Sequence, residues 1–127
     1  MIIFTLDYSS GVPIYRQIID QIRFGIASGK LKTGEQLPTV RALAVDLKVN
    51  LNTIAKAYKE LEIKNILETQ QGTGTFINKT DDIVPEKERK DKLKEICTQF
   101  SSIALSYGYS LDEVTKELKN VETFNKQ

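Results

Sequence analysis

The residues of this chain best equipped for chemistry lie between positions 37 and 77, and they are polar rather than catalytic. Asn50, Asn52, Thr53 and Lys56 stand close together, Thr39 and Arg41 precede them, and Gln71-Gly72-Thr73-Gly74 follows. Asparagine pairs bidentately with adenine, threonine meets a thymine methyl or a phosphate, and lysine or arginine reaches guanine or phosphate. A glycine-rich tip lets backbone amides approach a phosphate or the minor groove. Such groups suit recognition of duplex DNA and break no covalent bond. The sequence has no histidine and one cysteine, Cys97. That removes histidine general-base chemistry, an internal disulfide framework and a zinc ligand set. No pair among Asp7, Asp20, Glu35, Asp46, Glu60, Glu62 and Glu68 has the setting of a catalytic acid and base. No enzymatic activity, metal or cofactor is therefore expected.

Recognition groups need rigid elements behind them. Pro38 blocks backward extension of a short helix that Thr39 can cap, and Val40, Leu43, Ala44 and Leu47 fall on one of its faces. A second helix starts with Asn50 or Asn52 as its cap and turns Ile54, Ala57, Tyr58 and Leu61 inward. Asn52, Thr53 and Lys56 then lie on its opposite side. Only Lys48-Val49-Asn50 separates the two, a helix-turn-helix pattern. Asn65 suits the left-handed conformation that ends a helix. Ile66-Leu67-Glu68-Thr69 and Gly74-Thr75-Phe76-Ile77 read as short strands around Gln70-Gln71-Gly72-Thr73, with Gly72 permitting a positive φ. A hairpin directly after a helix-turn-helix makes a winged helix. Upstream, residues 3–6 form a short apolar-alternating segment before the turn Ser9-Ser10-Gly11. Another helix begins near Pro13, recurs with Ile14, Ile18, Ile22 and Ile26 beside Ile19, and stops at Gly29. Lys30-Leu31-Lys32-Thr33-Gly34 reads as a loop.

Downstream, residues 79–92 are charged, carry Pro85, and begin as a linker; the run 86–94 is a solvated helix surface. Leu93, Ile96, Cys97, Phe100, Ile103, Ala104 and Tyr107 recur at helical spacing up to Gly108. Ser110 and Glu113 form a capping box for a last helix lined by Leu111, Val114, Leu118 and Val121. Two such helices cannot make an independent core, so they bury their faces against the first helix, a second copy, or both. The expected class is mainly α with a small β-hairpin: a winged helix over residues 1–80 and a two-helix dimerisation unit over 81–127. Leu93, Ile96, Phe100, Ile103, Leu111, Val114 and Leu118 are the candidate dimer contacts. Cys97 is expected to be a small buried hydrophobe rather than a redox sensor, and Tyr58, Phe76 and Phe100 to be core.

At 127 residues and 40% hydrophobic, the chain can bury one ordinary core and a smaller appendage. No apolar run approaches the ~18–20 residues needed to span a bilayer, and the N-terminus lacks a basic leader region, so a cytosolic protein is expected. Residues 1–80 hold ten Lys/Arg against seven Asp/Glu, and residues 81–127 hold eight against ten. A mildly basic front half suits an anionic partner.

The chain resembles the GntR family of bacterial transcription regulators, specifically the YtrA-type subfamily with its short two-helix extension. The resemblance rests on Pro13-Ile14-Tyr15-Arg16-Gln17-Ile18, on Gly34-Glu35-Gln36-Leu37-Pro38-Thr39-Val40-Arg41-Ala42-Leu43-Ala44, on Val49 through Glu62, and on Gly72-Thr73-Gly74-Thr75-Phe76-Ile77. It implies a homodimeric repressor on a palindromic operator, with Thr39, Arg41, Asn50, Asn52, Thr53, Lys56, Gln71, Gly72, Thr73 and Gly74 toward DNA. It also suggests control of an adjoining transporter operon. Leu51, Asn65 and Gln71 depart from the subfamily's usual proline, glycine and basic residue, and Gln71 takes a charge away from the wing. A small-molecule effector is possible in a pocket between the tail helices or at the dimer interface. Simpler roles exist for several of these residues: helix caps for Thr39, Asn50 and Asn52, a solvated Lys56, and an ion pair from Arg41 to Asp46 or Glu35. The alternative function is a winged helix that contacts another protein, which calls for an apolar or acidic tip rather than this polar, basic one.

Overall fold

The computed structural model describes residues 3–78 and 83–125. The chain runs α1 (Ile14–Ala27), β1 (Gln36–Leu37), α2 (Val40–Leu47), α3 (Leu51–Ile63), β2 (Leu67–Gln70), β3 (Gly74–Ile77), α4 (Glu86–Ser106) and α5 (Leu111–Asn125). It divides into two compact units, Met1–Pro85 and Glu86–Gln127. Residues 79–82, where the expected linker begins and the expected boundary falls, lie outside the described residues.

The first unit owns a continuous core. Ile18, Ile19 and Ile22 of α1 meet Leu43 and Ala44 of α2, Ile54, Ala57, Tyr58 and Leu61 of α3, and Leu67 and Ile77 of the sheet. The buried set falls on the helical periods read from the sequence, because only one face of each helix can reach a shared interior. Ile14, Ile26, Val40 and Leu47 pack at its margin.

Residues 3–6 form no strand, yet they are held as one would be. The Gln21 amide takes both backbone groups of Thr5, accepting at 3.0 Å and donating at 2.6 Å, and the Gln17 amide does the same for Asp7 at 2.9 Å each way. Four helical residues advance ~6 Å and two extended residues ~6.6 Å, so glutamines four apart match backbone two apart. Phe4 and Leu6 are thereby laid against the core.

Two helix ends carry non-glycine residues at positive φ: Lys48 at 56° after α2, and Asn65 at 61° after α3. Asparagine is the expected choice; lysine carries no sequence signal for this backbone. The sheet also differs from expectation. It has three strands, ordered β1-β3-β2, all antiparallel, with Gln36 opposite Phe76 and Leu67 opposite Ile77. A two-residue strand has no periodicity to read, which is why β1 is invisible in the sequence.

The second unit is an antiparallel-capable helix pair joined by Tyr107-Gly108-Tyr109-Ser110. The capping box forms: Ser110 N–H donates to Glu113 Oε1 at 3.0 Å, and Glu113 N–H donates to Ser110 Oγ at 3.2 Å. Hydrogen bonds from the Ser110 amide and then its hydroxyl hold the Glu113 carboxyl below the usual range. The structure agrees with one expectation for this unit and corrects two. Helix α4 starts at Glu86, so the charged run 86–94 is the helix surface expected of it. Cys97 is exposed, not a buried hydrophobe. Phe100 is 44% exposed, not core. The physical reason is common to the last two: helical spacing reveals an apolar stripe but not what covers it, and no residue of α4 is buried within this chain. Phe76 is half-buried and Tyr58 fully buried. Between α4 and α5, Phe100, Ala104, Tyr109, Val114, Leu118 and Val121 line a mainly apolar groove of about 580 Å³, together with Glu113 and Glu117.

Candidate nucleic-acid interface

Helix α2 is capped by Thr39 as expected, and α3 by Asn50, one of the two candidates. Thr39 sits at φ −63°, ψ 157°, and its side chain accepts from Ala42 N–H at 3.0 Å. Asn50 accepts from Asn52 N–H through Oδ1 at 2.8 Å. The two elements are then tied together from inside. Tyr58 donates its hydroxyl to the Pro38 carbonyl at 2.7 Å, fixing the entry to α2 against the middle of α3. Burial pushes the Tyr58 phenol well above its ordinary value, so it remains a donor.

The core residues of α3 leave the opposite side to Asn52 and Lys56, both exposed, with Thr53 half-buried beside them. This first turn also presents amides that the Asn50 cap satisfies only in part, a setting that favours an anion. Lys56 is not simply solvated. Its ammonium lies over the Tyr15 ring, 3.9 Å from the centroid. The same ring has the Arg16 guanidinium at 5.6 Å, and Arg16 reaches Glu60 at 4.0 Å. Arg41 is exposed on the first turn of α2 and forms no ion pair among the described residues, so neither Asp46 nor Glu35 holds it.

The wing is a hairpin with Gln70 opposite Gly74, closed by Thr73 N–H donating to the Gln70 carbonyl at 2.9 Å. Gly72 takes φ 80° in this turn, where a side chain would be strained. Gly74 takes φ 144°, equally unsuited to a side chain, and a Cβ there would also displace the end of the Gln36 side chain, which donates to the Thr73 carbonyl at 3.0 Å. The tip residues Gln71, Gly72 and Thr73 are exposed. One pair in from the closing pair of the hairpin, Thr69 Oγ1 donates to Glu62 of α3 at 2.7 Å.

A capped helix pair with a polar outward face, followed by a pinned hairpin, is the architecture the sequence motifs require. The profile of the family described as "Bacterial regulatory proteins, gntR family" matches residues 14–77, from the first residue of α1 to the last of β3. The chain belongs to the gntR family. Two Bacillus subtilis relatives extend the match into the second unit. The "Uncharacterized HTH-type transcriptional regulator YhcF" is 40% identical over 93% of this chain and 94% of its own. The "HTH-type transcriptional repressor YtrA" is 36% identical over 91% and 89%. Among solved structures, "YtrA from Sulfolobus acidocaldarius, a GntR-family transcription factor" superposes with a TM-score of 0.55 at 33% identity, covering 97% of this chain and 99% of its own. The chain is thus a DNA-binding transcription regulator of the YtrA type.

In this GntR-family regulator the structure gathers Asn50, Asn52, Thr53 and Lys56 on the first turns of α3, places Thr39 and Arg41 at the start of α2, and puts Gln71, Gly72, Thr73 and Gly74 at the wing. Two residues with a part in this surface had no role assigned from sequence. Gln36 props the wing tip, and its signal lay only in three-dimensional register with Gly74. Tyr15 carries Lys56, although it lies on another helix and far away in the chain. Among the described residues no group of acidic, histidine and cysteine side chains is arranged to hold a metal, and no helix is long and apolar enough to cross a membrane.

Proposed function

We propose that this regulator is a homodimeric repressor that binds a palindromic operator in the cytoplasm. Helix α3 enters the major groove with Asn52, Thr53 and Lys56 toward the bases, Thr39 and Arg41 engage the adjoining backbone, and the wing backbone follows the strand beyond. The observation that carries this reading is the outward face of α3: polar, exposed, and opposed to four fully buried core residues that fix its aim. The apolar stripe of α4 and α5, with Leu93, Ile96, Phe100, Ile103, Leu111 and Leu118 exposed and Val114 half-buried, is covered by a second copy. Pairing of two chains sets the recognition helices roughly 34 Å apart, one turn of duplex, which makes the operator a palindrome. The repressor assignment is supported by one relative, the Bacillus subtilis transcriptional repressor YtrA, which matches this chain over nearly its whole length. The groove between α4 and α5 shares Phe100, Val114 and Leu118 with that apolar stripe, so a small apolar effector seated there would compete with the second copy.

The test is Asn52→Ala, measured by anisotropy on the preferred duplex and on a random one. A loss of ~1–3 kcal/mol confined to the preferred site is expected, because a bidentate base contact discriminates by about that much. Equal losses on both duplexes would show that Asn52 reads no base.

A further inference from the structure

We propose that Tyr15 is a positioning residue for DNA recognition, its ring holding the Lys56 ammonium in place on the outward face of α3. The proposal rests on the DNA-binding reading above and adds a residue from α1 to it. A lysine on an exposed helix face ordinarily samples many rotamers, and ordering it on binding opposes association. Here the ammonium lies 3.9 Å from the centroid of an aromatic ring, well inside the ~6 Å reach of a cation–π contact. Tyr15 is itself half-buried and packed against the core, so it is a fixed platform and not a second mobile side chain.

The neighbouring charges are arranged to leave Lys56 to the ring. Glu60, one turn further along α3, is the carboxylate best placed to draw the ammonium away, and it is met by Arg16 at 4.0 Å. Lys56 forms no ion pair among the described residues. An ammonium has three N–H donors, and a ring on one side leaves the others for a phosphate or a guanine. Tyr15 thus turns a diffuse positive charge into a located one.

Two measurements test this. In the DNA-free protein, ring current from Tyr15 should shift the Lys56 ε-methylene proton resonances upfield, and Tyr15→Leu should return them to ordinary lysine positions. Resonances already at ordinary positions in the wild type would overturn the proposal. Binding is then compared by anisotropy on a fluorescein-labelled duplex for wild type, Tyr15→Leu, Tyr15→Phe, Lys56→Ala and the Tyr15→Leu/Lys56→Ala double variant, each first shown by thermal melting to be folded. Tyr15→Leu should weaken binding roughly two- to fivefold, Tyr15→Phe should stay near wild type, and the Tyr15→Leu loss should vanish in the Lys56→Ala background. A loss that persists undiminished without Lys56 overturns the positioning role. A wild-type chain that binds no duplex at all instead overturns the DNA reading, and the ring-current measurement still decides whether Tyr15 holds Lys56.

Discussion

The two units of this regulator solve the problem of burial in opposite ways. In the first, every core position of α3 is closed: Ile54, Ala57 and Leu61 are 0% exposed and Tyr58 is 2%. In the second, Ile103 of α4 is 62% exposed and Leu118 of α5 is 49%, although the stripe of α5 is as regular as that of α3. An equally amphipathic pattern therefore ends in a core in one place and in an open face in the other. The difference lies in the number of elements that can close over the stripe. Three helices and a sheet enclose a common interior, while two helices expose whatever lies off their shared seam. The first unit carries its own stability, and the second, on the reading proposed above, completes its packing only against another copy.

That contrast can be broken most forcefully at the core. Leu61→Ala leaves a cavity among α1, α3 and the sheet, and a loss of ~2–5 kcal/mol is expected in urea unfolding. Because the interior belongs to one chain, the loss should be the same at every protein concentration. Ile103→Asp is the counterpart in the open face. It removes little from the isolated chain but should weaken the dimer by about 2 kcal/mol, near thirtyfold, read by sedimentation across a dilution series. A monomer–dimer equilibrium unchanged by that substitution would remove Ile103 from the interface.

The smallest effect sharpens the comparison on the first unit's side. Tyr58→Phe deletes the hydrogen bond to the Pro38 carbonyl and should cost about 1 kcal/mol at neutral pH. The pH dependence has a fixed sign. Burial raises the folded phenol above its ordinary value, so its contribution is complete below the unfolded value of about 10 and is lost as pH rises beyond it. Unfolding measured from neutral to alkaline pH should fall more steeply for wild type than for the phenylalanine variant.

What was legible in the sequence follows the same division. The helices of the first unit, their caps at Thr39 and Asn50, and the wing glycines could all be read, since each rests on local periodicity or on a backbone demand. Strand β1 could not, because two residues carry no period, and Lys48 at positive φ could not, because lysine does not announce that conformation. Cys97 and Phe100 were expected inside and lie outside, since a stripe predicts burial but not its partner. The outward residues of α3 were named from sequence, whereas the contacts that aim them, Tyr58 to Pro38 and Lys56 to Tyr15, join segments distant in the chain.

The most direct measurement of the central claim is selection of bound duplexes from a random pool by the purified full chain, with the retained complexes sized. The account predicts a palindromic consensus with half-sites about one helical turn apart, held by two chains. A single ungapped half-site held by one chain, or no enrichment even at low salt, would contradict it.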